Sequence, residues 1–302
     1  MKTIRTLLPY GVERFEKAGL SYGHGTTNAV DEAAWLILHA LGLPPRDLAS
    51  RLDTPLTESQ VKAAKSLLDR RARSHKPAAY LIHEAWLGPH RFYVDERVIV
   101  PRSYIGELLN RGQTSIFWPA ENRGLSPVSV LDLCTGSGCL AIVAALKFPG
   151  ARVDAAELSS DALEVATKNV ADYKLERRVR LVKSDLFSAL KGSTYDLIIS
   201  NPPYVKASSM AKLPQEYRKE PEMALASGTD GLDHTRRILA EARAHLNPGG
   251  RLVVEIGHNR KALEKAYPKL EFEWPKTSGG KGYVFALNRD DLGRQGTSGF
   301  EL

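Results

Sequence analysis

The chain has 302 residues, 43% hydrophobic and 25% charged, which suits one large or two modest globular domains, and its net charge of +7 favours an anionic partner such as nucleic acid. Two cysteines without companion histidines argue against a disulfide framework and against a zinc site, so no metal is expected. The sequence has neither an apolar run of roughly 18 residues nor an apolar leader segment, so we expect a cytoplasmic protein without a membrane span.

Residues 1–75 are predicted to form a helical N-terminal domain. The predicted helices, in which apolar residues recur at helical spacing, cover residues 12–18, 29–41 and 58–72. Asn28 or Asp31 is suited to begin the second helix. Thr57 and Gln60 have the spacing of a capping box at the start of the third.

Residues 76–104 are predicted to be a connector between two domains. Strand-like residues over 79–100 surround Gly88-Pro89, which marks a turn, so the connector is predicted to contain a β-hairpin. Arg102 ends this connector and is therefore a candidate for the cleft between the domains.

Residues 105–288 are predicted to form an α/β domain with a mostly parallel sheet, because strand-like and helix-like segments alternate. The predicted strands cover residues 128–133, 152–156, 179–182, 195–200, 251–256, 271–274 and 282–287. A helix is predicted over 139–147, and Asn247-Pro248-Gly249-Gly250 marks a turn before the strand at 251. Residues 289–302 have no periodicity and are predicted to be a loose tail.

The first of these strands runs into a glycine-rich turn, Asp132-Leu133-Cys134-Thr135-Gly136-Ser137-Gly138. Strand, glycine turn and helix are typical of a nucleotide-cofactor site in an open α/β sheet, where glycines let the backbone approach the ligand. Glu157 ends the next strand, where a carboxylate binds ribose hydroxyls. These features alone fit both a nicotinamide dinucleotide and S-adenosylmethionine.

Three further features favour S-adenosylmethionine. Asp132 precedes the loop, where a carboxylate can face a cationic amino-acid group, and Asp185 ends the third strand, where it can accept from an adenine amino group. The fourth strand ends in a polar motif at the same edge of the sheet, where open α/β sheets bind their ligands. The candidate cofactor-binding residues are Asp132, Cys134, Thr135, Gly136, Ser137, Gly138, Glu157, Asp185, Leu186 and Asn201.

That motif, Asn201-Pro202-Pro203-Tyr204, carries the candidate chemistry. The two prolines favour an extended backbone and remove two N–H donors. The Asn201 side-chain oxygen and the Pro202 carbonyl are two acceptors that match the two donors of a planar –NH2 group, on which Tyr204 can stack. The motif therefore predicts a site that holds an amide or a base amino group, with Asn201, Pro202 and Tyr204 as catalytic residues. A simple turn after a strand is the alternative interpretation.

Over residues 13–288 the chain resembles the class I S-adenosylmethionine-dependent methyltransferases that modify protein glutamine side chains, and most of all the PrmB family. The segments that carry the resemblance are residues 22–26, Trp35, and residues 92–102, 132–138, 201–204 and 213–222. The related release-factor methyltransferases typically have Pro-Arg-Pro-x-Thr-Glu where this chain has Pro-Arg-Ser-Tyr-Ile-Gly at 101–106, and glycine at the position of Cys134. Both departures favour the ribosomal-protein branch.

The resemblance implies a Rossmann-like class I sheet with an antiparallel last strand and an N-terminal domain that recognises substrate. It implies methyl transfer from S-adenosyl-L-methionine to the N5 nitrogen of a glutamine in large-subunit ribosomal protein three, leaving S-adenosyl-L-homocysteine. The partner is then that ribosomal protein, free or in an assembly intermediate with ribosomal RNA. The candidate substrate-binding residues are Asn201, Pro202, Pro203, Tyr204 and Arg102.

Other functions stay open on the sequence. A release factor can be the substrate, and the Asn-Pro-Pro-Tyr motif also serves enzymes that methylate the exocyclic amino group of adenine in nucleic acid. A cofactor-binding ribosome assembly factor without catalysis is a non-enzyme alternative, and an oxidoreductase leaves the motif without a role. Residues 205–231 are long for a loop and are expected to act as a lid or binding loop, in which Glu216, Glu220 and Glu222 would meet a basic protein.

Overall fold

A computed structural model describes residues 2–118 and 126–294. The N-terminal region is helical and is built from α1 (Ile4–Lys17), α2 (Ala29–Ala40), α3 (Leu48–Arg51), α4 (Glu58–Ser74) and α5 (Ala78–Ile82). Its apolar core lies mainly between α1, α2 and α4, and Ala162 and Val165 of a later helix join it. Within the described ranges, no helix is long and apolar enough to cross a lipid bilayer.

The starts of these helices follow from their caps. α1 begins well before the predicted 12–18, because the Thr3 hydroxyl accepts from the Thr6 N–H at 3.3 Å while the Thr6 hydroxyl accepts from the Thr3 N–H at 2.8 Å. The predicted capping box of α4 is confirmed, since the Gln60 N–H donates to the Thr57 hydroxyl at 3.2 Å. The sequence predicts the Thr57 cap of α4 but not the Thr3 cap of α1.

The connector contains the predicted hairpin. Strands β1 (Ala85–Leu87) and β2 (His90–Phe92) pair antiparallel around Gly88, whose φ of 62° is the left-handed conformation that glycine adopts readily. The β-like stretch predicted from residue 79 is wrong at its start, where α5 forms instead. The buried Ala78, Ala79 and Tyr80 pack into the helical core, and this tertiary contact outweighs local strand preference.

The remaining elements form the α/β region. Its strands are β3 (Ser129–Leu133), β4 (Arg152–Glu157), β5 (Val179–Lys183), β6 (Tyr195–Ser200), β7 (Leu246–Glu255), β8 (Lys276–Thr277), β9 (Gly280–Lys281) and β10 (Val284–Asn288). Its helices are α6 (Tyr104–Asn110), α7 (Thr114–Phe117), α8 (Cys139–Lys147), α9 (Ser160–Asp172), α10 (Ala207–Met210), α11 (Asp233–Glu241) and α12 (Arg260–Ala266). In the part of the chain that the structure describes, six strands form the central sheet in the order β10-β7-β6-β3-β4-β5.

This sheet is parallel except for its last strand, β10, which runs antiparallel to β7 as predicted. Alternate residues of β3 face opposite layers: Val130 joins the apolar core with Ile142 of α8, and Leu131 joins the core with Ile238 of α11. The strand order reverses direction at β3, whose neighbours are β4 and β6. Ligands of open α/β sheets bind at such a switch point, beside the carboxyl ends of the strands.

The C-terminal part differs from prediction in three places. The turn predicted at 247–250 lies inside β7, opposite a register shift in β6. The strand predicted at 271–274 is reduced to one bridge between Glu273 and Ala286. The predicted tail starts with a 3-10 turn, Asp291–Arg294, in which Leu292 is buried, while residues 295–302 lie outside the described residues.

Candidate functional site

Two cavities meet at the carboxyl edge of the sheet, between the ends of β3 and β6. The Ser200 hydroxyl at the end of β6 donates to the Leu133 carbonyl at 2.9 Å and ties these two strand ends together. The first cavity, which we call the loop cavity, is lined among others by Cys134, Gly136, Glu157, Asp185, Leu186, Asn201 and Pro203. The second, the motif cavity, has a volume of about 490 Å³ and is lined among others by Arg102, Asn201, Pro202, Tyr204, Tyr217 and Glu255.

The glycine loop presents its backbone to the loop cavity. Cys134 and Gly136 both have positive φ, 59° and 54°, so the chain curls tightly after β3. A Cβ placed on Gly136 would meet no atom within 4 Å, because that position faces the cavity. Gly138 begins α8 at a φ of 79°, and the Ser137 carbonyl accepts from the Asn169 side-chain amide at 2.9 Å. The loop therefore forms an open cradle at Gly136 and is fixed by the hydrogen bond from Asn169.

Asp132 lies beneath this loop and is fully buried. Its Oδ2 accepts from the Thr135 hydroxyl at 2.5 Å and from the Ala141 N–H at 3.0 Å. Burial raises the pKa of Asp132 to about 7, although these hydrogen bonds oppose the shift. Its Oδ1 is buried and has no hydrogen-bond partner among the described residues. Asp132 and Thr135 therefore shape the loop, and a contact of Asp132 with a cationic ligand group stays a prediction.

Glu157 joins the loop to the next strand. Its Oε2 accepts from the Gly136 N–H at 2.9 Å and its Oε1 accepts from the Ser159 N–H at 3.0 Å. Each carboxylate oxygen keeps a further lone pair, so both remain able to accept from a ligand hydroxyl.

Asp185 and Leu186 also line the loop cavity. Asp185 pairs with Arg237 at 2.9 Å, and this hydrogen-bonded partner lowers the pKa of Asp185. Leu186 is buried with a φ of 48° and presents an apolar wall. The structure brings both residues to the cavity where Gly136 and Glu157 lie.

Asn201 lies where the two cavities meet, since it lines both. Its Oδ1 is buried and, among the described residues, accepts no hydrogen bond. A buried acceptor without a partner costs free energy, so Asn201 remains a candidate for binding a ligand donor. Of the following residues, Pro202 and Tyr204 line the motif cavity and Pro203 lines the loop cavity.

Two residues that the sequence analysis missed hold Tyr204. The Asn259 side-chain amide donates to the Tyr204 carbonyl at 2.8 Å. Gly257 has a φ of 55°, and a Cβ on it would lie 2.7 Å from the Tyr204 ring. The ring position therefore requires glycine at 257.

We expect Gly257→Ala to displace the Tyr204 ring. The kcat/KM of the expected methyl transfer should then fall about tenfold or more, since an aromatic stacking contact with the substrate is worth about 1–3 kcal/mol. Gly192→Ala is the matched control, because Gly192 has a φ of 78° and no atom lies within 4 Å of its added Cβ. Steady-state kinetics of both variants measure the effect, and equal values of kcat/KM would show that the Tyr204 ring does not matter.

Arg102 lines the motif cavity but is held by the protein itself. Its Nη1 and Nη2 donate to the two oxygens of Glu220, each at 2.6 Å. Glu220 is 5% exposed and Glu216 is 1% exposed, so the expectation that these two glutamates meet a partner protein is wrong. Glu222 is exposed, and its expected contact stays a prediction.

The Glu220 carboxylate gives a pH prediction. Burial would raise its pKa, but Arg102 and the nearby His24 outweigh burial and lower the pKa from 4.5 to about 2. A lowered folded-state pKa stabilises the fold above about pH 4.5, and this contribution is lost as the pH falls toward 2. We expect the melting temperature to fall more steeply below about pH 5 in the wild type than in Glu220→Gln. Circular dichroism melts at several pH values test this, and parallel slopes would contradict it.

A further carboxyl group that the sequence analysis missed is Glu255. Its Oε2 accepts from the Ser103 hydroxyl at 2.7 Å and from the Tyr104 N–H at 2.9 Å. Burial raises the pKa of Glu255 to about 7. A glutamate that ends the apolar run 252–254 was the available signal, because a charge inside such a strand needs partners.

Across residues 2–118 and 126–294, no group of three His, Cys, Asp or Glu side chains is arranged to hold a metal ion.

Comparison with known proteins gives the family. Residues 121–272 match the methyltransferase small domain, and residues 7–82 match the PrmC N-terminal domain. A ribosomal protein uL3 glutamine methyltransferase of Neisseria meningitidis serogroup B is 56% identical over 292 residues, which cover 97% of this chain and 95% of that protein. Proteins of the same name from Burkholderia pseudomallei (52% identity, 96% of each chain) and Bradyrhizobium diazoefficiens (46% identity, 96% of this chain and 92% of that protein) are also similar. The chain therefore belongs to the ribosomal protein uL3 glutamine methyltransferase family.

Proposed function

We propose that the protein transfers a methyl group from S-adenosylmethionine to the side-chain amide nitrogen of a glutamine in ribosomal protein uL3. The observation that carries this proposal is the buried, unpartnered Oδ1 of Asn201 at the junction of the two cavities. Asn201 is thus an acceptor at the junction of two cavities, one of which would take the methyl donor and the other the substrate amide.

The reaction needs help because an amide nitrogen is a weak nucleophile whose lone pair is shared with its carbonyl. The Asn201 Oδ1 accepts one amide N–H and the Pro202 carbonyl accepts the other, which fixes the amide plane and favours electron density on nitrogen. Tyr204 stacks on the amide plane. The gain comes mainly from positioning and from preorganised acceptors.

The loop cavity fits the methyl donor. The cradle at Gly136, which a Cβ would fill, lets the backbone approach the ligand, and Glu157 offers acceptors to its ribose hydroxyls. Asp185 accepts from the adenine amino group beside the apolar wall of Leu186. S-Adenosylmethionine, when bound, would supply an electrophilic methyl group on a sulfonium. As the N–CH3 bond forms, the S–CH3 bond breaks, one amide N–H proton is lost to water, and S-adenosylhomocysteine is left.

The substrate is inferred from relatives named for uL3 that match along nearly the whole chain. A net charge of +7 would repel a basic protein met alone, which favours uL3 in an assembly intermediate with ribosomal RNA in the cytoplasm.

A competition assay tests the substrate. Purified uL3, free and in complex with ribosomal RNA, and a peptide-chain release factor are offered at equal concentration with labelled S-adenosylmethionine, and mass spectrometry follows the proteins and the RNA. We expect methylation of uL3 on glutamine. Preferential labelling of the release factor would overturn the substrate, and labelled adenine in RNA would overturn the reaction class.

A further inference from the structure

Residues 205–231 connect Tyr204 to α11 and form one wall of the motif cavity, to which Val205, Leu213, Tyr217 and Leu225 contribute. Two glutamates of this wall segment, Glu216 and Glu220, are almost completely buried. Buried carboxylates persist only with strong partners, and the partners of these two lie in other parts of the chain.

The partners of Glu216 lie in the N-terminal helical region. Its Oε1 accepts from the Ser21 N–H at 3.1 Å and from Arg71 Nη1 at 3.2 Å, and His75 Nδ1 lies 3.4 Å away. Arg71 also donates through Nε to Glu32 at 2.6 Å. Arg71 therefore keeps one carboxylate partner within its own domain and uses a second hydrogen bond to hold the wall segment.

Glu220 is held from the connector. Both its oxygens accept from Arg102, and its Oε1 also accepts from the Val100 N–H at 2.9 Å. His24 Nε2 lies 3.4 Å from its other oxygen. Two separate buried anchors thus fix the segment, one on the helical region and one mainly on the connector.

Tyr217 lies between these anchors and faces the motif cavity. Its ring centroid is 4.3 Å from that of His24, and the Arg102 guanidinium lies 5.3 Å from it. A Cβ on Gly23 would lie 2.4 Å from the Tyr217 hydroxyl, so residue 23 sets how far the ring can move. Gly23 and Arg102 line the same cavity.

We infer that the N-terminal helical region helps to form the glutamine site without contacting the substrate amide itself. Arg71 and Glu216 are positioning residues that hold Tyr217 of the wall segment against the substrate. This inference rests on the proposed function. The helical region then acts on the reaction through the buried anchor of the wall segment, in addition to any surface that it offers to the partner protein.

The two anchors predict different effects. Glu216 precedes Tyr217, whereas Glu220 directly precedes Pro221, which lines the loop cavity together with Met223. Loss of the Glu216 contacts should therefore weaken binding of the protein substrate and leave binding of the methyl donor unchanged. Loss of the Glu220 contacts should weaken binding of both ligands.

Glu216→Leu in the full chain tests the inference, because Arg71 keeps its ion pair with Glu32 and no unpaired charge is created. We expect KM for uL3 to rise about tenfold to a hundredfold, the scale of a small misplacement in an active site. The Kd of S-adenosylmethionine, measured by calorimetry, should stay at the wild-type value. Glu216→Gln keeps an acceptor for Ser21 and Arg71 and should restore most of the wild-type KM.

Gly23→Ala is a second test that removes no charge, with Gly19→Ala as control since Gly19 has a positive φ of 63° and open space around its Cβ. Only Gly23→Ala should raise KM for uL3. A folded Glu216→Leu or Gly23→Ala with a wild-type KM would overturn the inference. If the wild type itself does not methylate uL3, the proposed function fails instead, so the two failures are distinguishable.

Discussion

Replacing Asn201 with alanine is expected to lower kcat for methylation of uL3 by about 10²- to 10³-fold, the loss typical of removing one preorganised hydrogen-bonding group from an active site. The reason is that Oδ1 is buried and accepts no hydrogen bond from the described residues, and the proposed function assigns it to the substrate amide. Single-turnover kinetics with saturating S-adenosylmethionine measure the chemical step directly.

The same variant should bind S-adenosylmethionine nearly as the wild type does, because the proposed mechanism assigns the lost acceptor to the substrate amide. Asn247→Ala is the matched control. Asn247, at the start of β7, donates to Asp196 of β6 and lies outside both cavities. An unchanged turnover rate in Asn201→Ala would remove the basis for an amide-holding role.

Glu157→Ala is expected to raise the Kd of S-adenosylmethionine by about 10- to 100-fold, because hydrogen bonds to a charged acceptor are worth about 1.5–3 kcal/mol. The alanine would also release the Gly136 and Ser159 N–H groups that Glu157 holds. Isothermal titration calorimetry with the purified full chain gives the affinity.

Glu157→Gln separates these two effects in part, since its single oxygen can still accept from the Gly136 N–H while the charge and the acceptor of the Ser159 N–H are lost. We expect it to bind the methyl donor with intermediate affinity. Wild-type affinity in Glu157→Ala, or tighter binding of a nicotinamide dinucleotide than of the methyl donor to the wild type, would contradict the cofactor assignment.

Much of the site could be predicted because each of its motifs directly follows a strand of a parallel sheet in the sequence. The glycine loop follows β3 and the Asn-Pro-Pro-Tyr motif follows β6, and any parallel sheet brings such ends to one edge. Their direct adjacency, tied by Ser200, could not be read from spacing alone. The shared position of Asn201 between two cavities is a consequence of that adjacency.

The errors arose where a distant residue decides the environment. Glu216 and Glu220 resemble surface carboxylates in the sequence, but their partners Arg71 and Arg102 lie 145 and 118 positions away. Asp132 is a different case, because its hydrogen bonds to Thr135 and to the first turn of α8 are local, and its contact with a cationic ligand group stays a prediction. In the N-terminal region, Pro9 lies inside α1, and a proline there argues against a helix. The start of α1 depends on the Thr3 cap.

Tandem mass spectrometry of uL3 after incubation with S-adenosylmethionine and the purified protein tests the central claim most directly. We predict one added methyl group on the side-chain nitrogen of a glutamine with the wild type and none in the same time with Asn201→Ala. A methyl group on any other residue type, or equal glutamine methylation by both proteins, would contradict the account.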